Sequence, residues 1–476
     1  MKKLLGFLGV LALLASCSSP VSPSAGNSVT ITIPTGNGSG SRAIQSSEAL
    51  LWLFNGGTLY PNGTQGYYST GFSGSSASLT LTGIPDAADY SVVVAVGSVT
   101  TSGFMPTAYA VSAPFSVATG AQTDVSLTLK TLTGALSTAL NATNVISIKE
   151  VGPTLYAASP TALYSSTTGL AGLSTPASLA TGTINSLTAG YDIPTATPFL
   201  LVNTTNGVYK NGVSNLVAAS TPTQPDVSWS GAVSWTALVS GTAVPFYTYF
   251  FMGATSFGGL YSAASDPGAA ANTASWRSVD LSQIPSINGN PLLDFVITST
   301  GSGANTVVYG FFATRILGTV RVNSSWLQQG ATLQLSDLMD TSNGYFQYVG
   351  AGLPLIQALG LVSDPSLATK NLYLGTQGGA YVIPDATAAT LAAPTLLPGT
   401  RGLNITRIVT DNAGDIAFLS KSDIFVQPAG KALLRLPFVA SVVGTLQDAR
   451  WSPGTPGLLY VAGTAGALAI QTGALE

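Results

Sequence analysis

The sequence predicts an all-β chain in two parts, an antiparallel β-sandwich over residues 29–131 and a ring of tandem β-sheet blades over residues 132–476. Three observations carry that expectation. From Val29 onward, short runs alternate apolar and polar residues with period two. Clusters of Gly, Asn, Pro and Asp separate these runs. Beyond Leu132 a unit of two β-rich runs recurs every 43 to 64 residues.

The chain opens with Met1-Lys2-Lys3, an apolar stretch from Leu4 to Leu14, then Ala15-Ser16-Cys17. A basic start, a short hydrophobic core and a small-residue cleavage site are the layout of a secretory signal, expected here over residues 1–16. The chain's one cysteine falls at this junction. Leu14-Ala15-Ser16-Cys17 resembles the lipobox of bacterial lipoproteins. That resemblance implies diacylation of the Cys17 sulfur, Cys17 as the new N-terminus, and a further acyl chain such as palmitate on its amine. An ordinary signal peptide with an incidental cysteine is the alternative. Each buried methylene of an acyl chain contributes roughly 0.8 kcal/mol, so the chain is expected to be anchored to a bilayer without spanning it. Ser18 follows Cys17 where an Asp would retain a lipoprotein at the inner membrane; by resemblance to the enterobacterial sorting rule this implies the outer membrane, with the leaflet left open. Loss of Lys2 and Lys3 leaves 14 basic and 19 acidic residues, a formal charge of −5. Lys and Arg do not cluster, so nucleic acid is not expected as a partner.

Residues 17–28 read as a lipidated flexible tether of small, polar and proline-punctuated sequence. Then Val29, Ile31 and Ile33 alternate with Thr30 and Thr32, a half-buried strand. Strand-like runs follow at Leu50–Phe54, Ser78–Leu81, Tyr90–Val96, Phe115–Val117 and Val125–Leu129, with turn formers at Asn55-Gly56-Gly57, Asn62-Gly63 and Pro85-Asp86. Six short strands in about 100 residues indicate a sandwich. Residues Ser78 to Pro85 followed by Tyr90 to Val94 resemble the end of a prealbumin-like or carboxypeptidase-regulatory-like module, which implies a spacer or adhesive unit that presents another domain.

The repeat is clearest from Asn371 to Pro384, with related copies at 155–164, 200–209, 258–261, 308–317, 416–425 and 459–468. Their closing apolar positions are Tyr164, Tyr209, Tyr261, Leu317, Tyr381, Phe425 and Leu468. One blade of a β-propeller needs about 40–50 residues, so the seven copies predict a seven-bladed β-propeller. A solenoid would show shorter, more regular periods; several further sandwiches are the other competing reading. Asp411 to Phe418 and Leu374-Gly375-Thr376-Gln377-Gly378-Gly379 resemble the repeats of extracytoplasmic propellers of the two-component-regulator type. The last unit lacks an outer strand, and an open edge would expose unpaired N–H and C=O groups. The segment around Leu132–Leu140 is therefore expected to complete it.

Composition removes several chemistries. Charged residues are 7% of the chain and there is no His, so His-based triads and His-ligated metals are impossible, and a lone Cys permits no internal disulfide. No catalytic residue, metal ligand or cofactor is assigned. Asp337-Leu338-Met339-Asp340 is the most suggestive local carboxylate pair for glycoside chemistry, and solvated residues in a short helix or loop are the favoured reading. Asp411-Asn412-Ala413-Gly414-Asp415 lacks the spacing of a calcium loop and reads as a hairpin turn. Ser420-Lys421-Ser422 reads as another blade turn, and no glycine-rich segment has the ending of a phosphate loop.

The longest interval holds Trp326, Tyr345, Phe346 and Tyr348 among polar residues, and aromatics supply flat, rigid contact area. With Asp337 and Asp340 they are the candidate ligand-binding residues; covering the edge of their own blade is the alternative. The expected function is a lipid-anchored cell-envelope protein whose propeller face is a non-catalytic binding or assembly platform, with an envelope protein or glycan as partner. The competing class is an extracytoplasmic glycan-active hydrolase or lyase using carboxylate or Tyr chemistry at the propeller channel. A largely structural surface protein is the third reading.

Overall fold

The structure is a computed structural model that describes residues 27–34, 48–60, 66–71, 76–100, 103–131, 134–137, 139–174, 182–192, 197–211, 214–215, 227–239, 242–253, 261–265, 277–278, 292–300, 307–315, 318–323, 346–363, 370–411 and 413–472. The chain is all-β and divides into two compact units. The first comprises residues 1–44, 49–94 and 110–129, the second residues 45–48, 95–109 and 130–476.

Two sheets are built from the N-terminal part. In the three-stranded one, Ser28–Pro34 is central, antiparallel to Ser76–Thr82 and parallel to Gln122–Ser126. Val29, Ile31 and Ile33 are fully buried while Thr32 is exposed, the alternation that a half-solvated strand requires. The larger sheet runs in the order Lys130–Thr131, Gly103–Val111, Ala87–Thr100, Glu48–Asn55, Thr58–Leu59, with two short strands added. Its strand Glu48–Asn55 buries every residue from Ala49 to Phe54, so both of its faces are covered. Asn55 and Thr58 are joined through Gly56 and Gly57, both with positive φ (55° and 80°), the two-residue turn whose twist matches a hairpin. Gly103–Val111 was not among the strands expected from sequence; Gly103 and Pro106 interrupt its pattern. It lies so close to its neighbour that a Cβ on Gly97 would meet the Met105 carbonyl oxygen at 2.1 Å.

From Gly134 onward the second unit forms a β-propeller, seven successive antiparallel sheets among the described residues. The first holds Ser147–Val151, Thr154–Ser159 and Ala162–Ser166. The second holds Ile184–Asp192, Thr197–Thr204, Gly207–Lys210 and Ser214–Asn215; the third, Val227–Val239, Thr242–Gly253, Tyr261–Ser265 and Arg277–Ser278. The fourth holds Leu292–Thr300, Val307–Thr314, Gly318–Asn323 and Phe346–Val349; the fifth, Ile356–Ser363, Lys370–Thr376, Gly379–Ile383 and Thr395–Leu396. The sixth holds Arg407–Thr410, Ile416–Leu419, Ile424–Gln427 and Leu434–Arg435. The seventh holds Leu446–Trp451, Leu458–Gly463 and Gly466–Gln471, and its fourth strand is Gly134–Leu136, with Ala135 opposite Ala469.

The radial order is visible in the first strand of each sheet. Those of the first, second and third sheets lie side by side in sequence, as do those of the fourth to seventh, and the seventh's lies against the first's. Apolar residues fill the space between neighbours. Leu140, Val145, Ile148, Leu155 and Tyr460 form the core between the seventh and first sheets, and Ala358, Ile405, Ile408, Ile416 and Phe418 that between the fifth and sixth.

Two local devices recur. In five sheets the first strand carries a bulge near its start, at Ile184/Ser186, Val227/Trp229, Leu292/Asp294, Ile356/Ala358 and Leu446/Asp448. A bulge re-aims the residue that follows it. The turn joining the second and third strands opens with a hydroxyl residue, and that hydroxyl donates back across the turn: Thr204 to Gly207 O at 2.9 Å, Thr314 to Gly318 O at 2.6 Å and Thr376 to Gly379 O at 2.8 Å. Ser420 sits likewise, its Oγ accepting from Asp423 N at 2.9 Å, so Ser420-Lys421-Ser422 is a blade turn. Asp411 is a turn residue too, its carboxylate accepting from the Ala413 and Asp415 N–H groups at 2.9 and 2.8 Å.

Candidate functional site

Of the residues singled out in the longest interval, Trp326, Asp337, Asp340 and Tyr345 lie outside the described residues, as does Cys17. Phe346 and Tyr348 belong to Phe346–Val349, the last strand of the fourth sheet, and Tyr348 is 52% exposed. Sequence reasoning did not single out the two places where polar chemistry gathers in the described residues.

The first is the junction of the first strands of the seventh and first sheets. Asp448, placed by the bulge, is buried. Its Oδ2 accepts from Ser147 Oγ at 2.7 Å, Ile148 N at 3.1 Å and Lys149 Nζ at 2.6 Å, and its Oδ1 accepts from Ala449 N at 2.9 Å. Burial alone would raise its pKa. The charges of Lys149 and Arg407 and the hydrogen bonds from Lys149 and Ser147 outweigh it, and the carboxyl is held below its ordinary range. Ser147 Oγ in turn accepts from Leu187 N of the second sheet at 3.1 Å. The same relation recurs where Asp294 of the fourth sheet accepts from Leu359 N of the fifth at 2.8 Å. These groups are consumed in holding sheet to sheet.

Two arginines are also engaged, Arg321 between the fourth and fifth sheets and Arg435 within the sixth. Arg321 donates to the carbonyls of Ala386 and Ala389 in the fifth sheet's loop and to Gln347 Oε1, and packs 5.1 Å from the Tyr309 ring. Arg435 grips Asp423 with Nε and Nη2 at 3.0 and 2.9 Å, the two-pronged geometry in which guanidinium and carboxylate match.

The second place is open. A cavity of about 420 Å³ lies between the first and seventh sheets, within the ~300–1,000 Å³ typical of small-ligand sites. Glu150, on the first strand of the first sheet, and Tyr460, on the second strand of the seventh, line it together with Leu155, Thr168, Leu170 and Thr455. Glu150 Oε2 is buried and accepts no hydrogen bond, and the nearby Arg450 Nε donates none. Tyr460 is 5% exposed. Burial and the Glu150 carboxylate raise its pKa, against a hydrogen bond with Ser452 that lowers it, so the hydroxyl stays protonated at neutral pH. Ser452 Oγ is fixed by the Thr455 N–H at 3.0 Å. One glycine, Gly169, lines the cavity, and a Cβ on it, at a φ of 79°, would lie 3.9 Å from the Tyr460 hydroxyl; beside the lining residue Thr455, a Cβ on Gly454 would lie 3.2 Å from Glu150 Oε1. Among the described residues no group of three acidic or Cys side chains could hold a metal ion.

No protein-family model matches the chain, and no curated protein matches it. Solved structures do. Virginiamycin B lyase from Staphylococcus aureus aligns at 10% identity and TM-score 0.43 over 71% of this chain and 98% of its own. The extracellular domain of the hybrid two component system BT4673 from B. thetaiotaomicron aligns at 13% and 0.44 over 72% of this chain and 39% of its own, so this chain spans about two fifths of that structure. The Swd1 β-propeller domain from Myceliophteria thermophila aligns at 12% and 0.44 over 71% and 99%. At such values the functional reading rests on this chain's own residues.

Proposed function

We propose that the chain is a lipid-anchored protein of the bacterial cell envelope, held through acylated Cys17 and a short tether, whose seven-bladed propeller is a non-catalytic binding or assembly platform. The observation that carries the non-catalytic part is the use of the buried charges. Asp448, Lys149, Asp423, Arg435 and Arg321 are each engaged with a neighbouring strand or loop and converge on no open site. Anchoring is supported by the succession of basic start, apolar run and Leu14-Ala15-Ser16-Cys17. Confinement to a membrane face raises effective concentration toward neighbours, so modest contacts from the propeller suffice. Tyr348, exposed on its edge strand, and the aromatics and acids of the adjoining interval are the first candidates for such contacts.

The second reading, a glycan hydrolase or lyase with carboxylate or tyrosine chemistry, draws on Glu150 and Tyr460 sharing one cavity. The raised pKa of Tyr460 keeps that hydroxyl protonated at neutral pH, where it can donate a hydrogen bond to a ligand or a proton to a leaving group.

Labelling cells with an alkyne fatty acid and purifying the full chain from envelope fractions tests the proposal. Incorporation lost in Cys17→Ser, together with a reproducible envelope partner and no sugar cleavage, is the expected result. Glycan turnover abolished by changing a single acidic residue overturns it.

A further inference from the structure

We propose that the cavity between the first and seventh sheets binds a neutral sugar, one or two residues at the end of a glycan. This deepens the platform reading by naming a ligand and its place. The argument starts from Glu150. Its carboxylate stands in the cavity wall with one oxygen buried and undonated, so the group keeps acceptor capacity that an incoming O–H or N–H can use.

Charge selects among possible donors. Burial lowers the pKa of Arg450, and the charges of Asp448, Glu150 and Asp411 act against it, so Arg450 and Glu150 already influence each other. An ammonium entering there would gain from Glu150 and lose to Arg450, and an anion would face Glu150 directly. A neutral hydroxyl satisfies the oxygen without importing charge. The lining fits the rest of such a molecule: Leu155, Leu170 and Leu458 offer apolar surface to its C–H face, and Thr168, Thr455 and Gln471 offer hydroxyl and amide groups to its O–H edge. The Tyr460 side chain forms part of the wall, an amphipathic aromatic held by its bond to Ser452. Glycine at 169 leaves open the volume that a side chain there would take from the ring.

Because the cavity is shared by two sheets, an occupant bridges them and stabilises the folded state by mass action. The test is calorimetric titration and thermal melting of the full chain in a sugar-free detergent with glucose, N-acetylglucosamine, maltose and chitobiose, and with putrescine and citrate as charged comparators. At least one sugar is expected to bind saturably and raise Tm. Glu150→Ala should weaken it tenfold or more, and Gly454→Val, an exposed position whose new methyls crowd Glu150, should do the same with the fold intact. Lys421→Ala, in the exposed turn of the sixth sheet, should change nothing. Absence of binding by all four sugars overturns the inference, as does sugar binding that survives both Glu150→Ala and Gly454→Val, or Glu150-dependent binding of putrescine or citrate alone. The envelope purification is unaffected by these outcomes, so each proposal can fail without the other.

Discussion

Asp448 in the seventh sheet meets Lys149 in the first at 2.6 Å, across 299 residues of chain. The pair belongs to a wider contact between two sheets, since the same carboxylate also holds Ser147 and the Ile148 N–H.

Removing the carboxylate should therefore be severe. Asp448→Ala leaves Lys149, 17% exposed, without its partner and the Ile148 N–H without an acceptor, a loss of about 3–5 kcal/mol by comparison with other broken buried pairs. Replacing both residues, Asp448→Leu with Lys149→Met, should recover a large part of it. Urea midpoints of the three proteins check the order.

The same group sets an acid limit. Its folded pKa lies below the value of an unfolded Asp, about 3.9, so its contribution is fully present above that pH and is lost as pH falls through the lower, folded value. Stability measured from pH 6 down to 2 should fall more steeply in the parent than in Asp448→Asn, whose curve lacks this component.

Asp294 and Ser147 make two further bridges between first strands. Asp294→Ala orphans the Leu359 N–H and Ser147→Ala the Leu187 N–H, each at about 1–3 kcal/mol. Hydrogen exchange should show faster opening at Leu359 in one variant and at Leu187 in the other. Equal, diffuse acceleration in both would contradict a local bridge.

Gly463 has no room for a side chain: a Cβ there would meet the Val443 carbonyl oxygen at 2.4 Å and that of Thr445 at 2.9 Å. Backbone cannot step aside as a side chain can. Gly463→Ala should cost about 1–3 kcal/mol, and the melting temperature measures it.

Ala135 and Ala469 are directly opposed in the seventh sheet. Ala135→Cys with Ala469→Cys should oxidise to a disulfide, since opposed antiparallel residues have Cα atoms about 4.5–5.5 Å apart. A gel shift on reduction shows the bond, and a rise in unfolding temperature of the oxidised form shows that these strands stay paired in solution.

Much of the sheet plan was legible because it is written locally. Period-two alternation marked Val29, Ile31 and Ile33, and the Gly-Thr and Ser-x-Ser turns marked the hairpins that Thr376 and Ser420 close. The helix Phe438–Val443 was not legible: its Val-rich run reads as strand, and Pro437 before it and Gly444 after it, with φ 77°, bound it only once the register is known. Asp448, Asp294 and Glu150 were missed for a different reason. Each is an unremarkable acid in its own neighbourhood, and its meaning comes from a strand or sheet remote in sequence, in Asp448's case about 300 residues away.

The closing strand Gly134–Leu136 precedes all the other blades in the chain, while its partner Gly466–Gln471 comes after them. A growing polypeptide therefore carries an unsatisfied β-edge through the synthesis or export of more than 300 residues. Circularity is a late event, and the waiting edge is the natural target for a holdase chaperone or for misassembly with a second nascent copy.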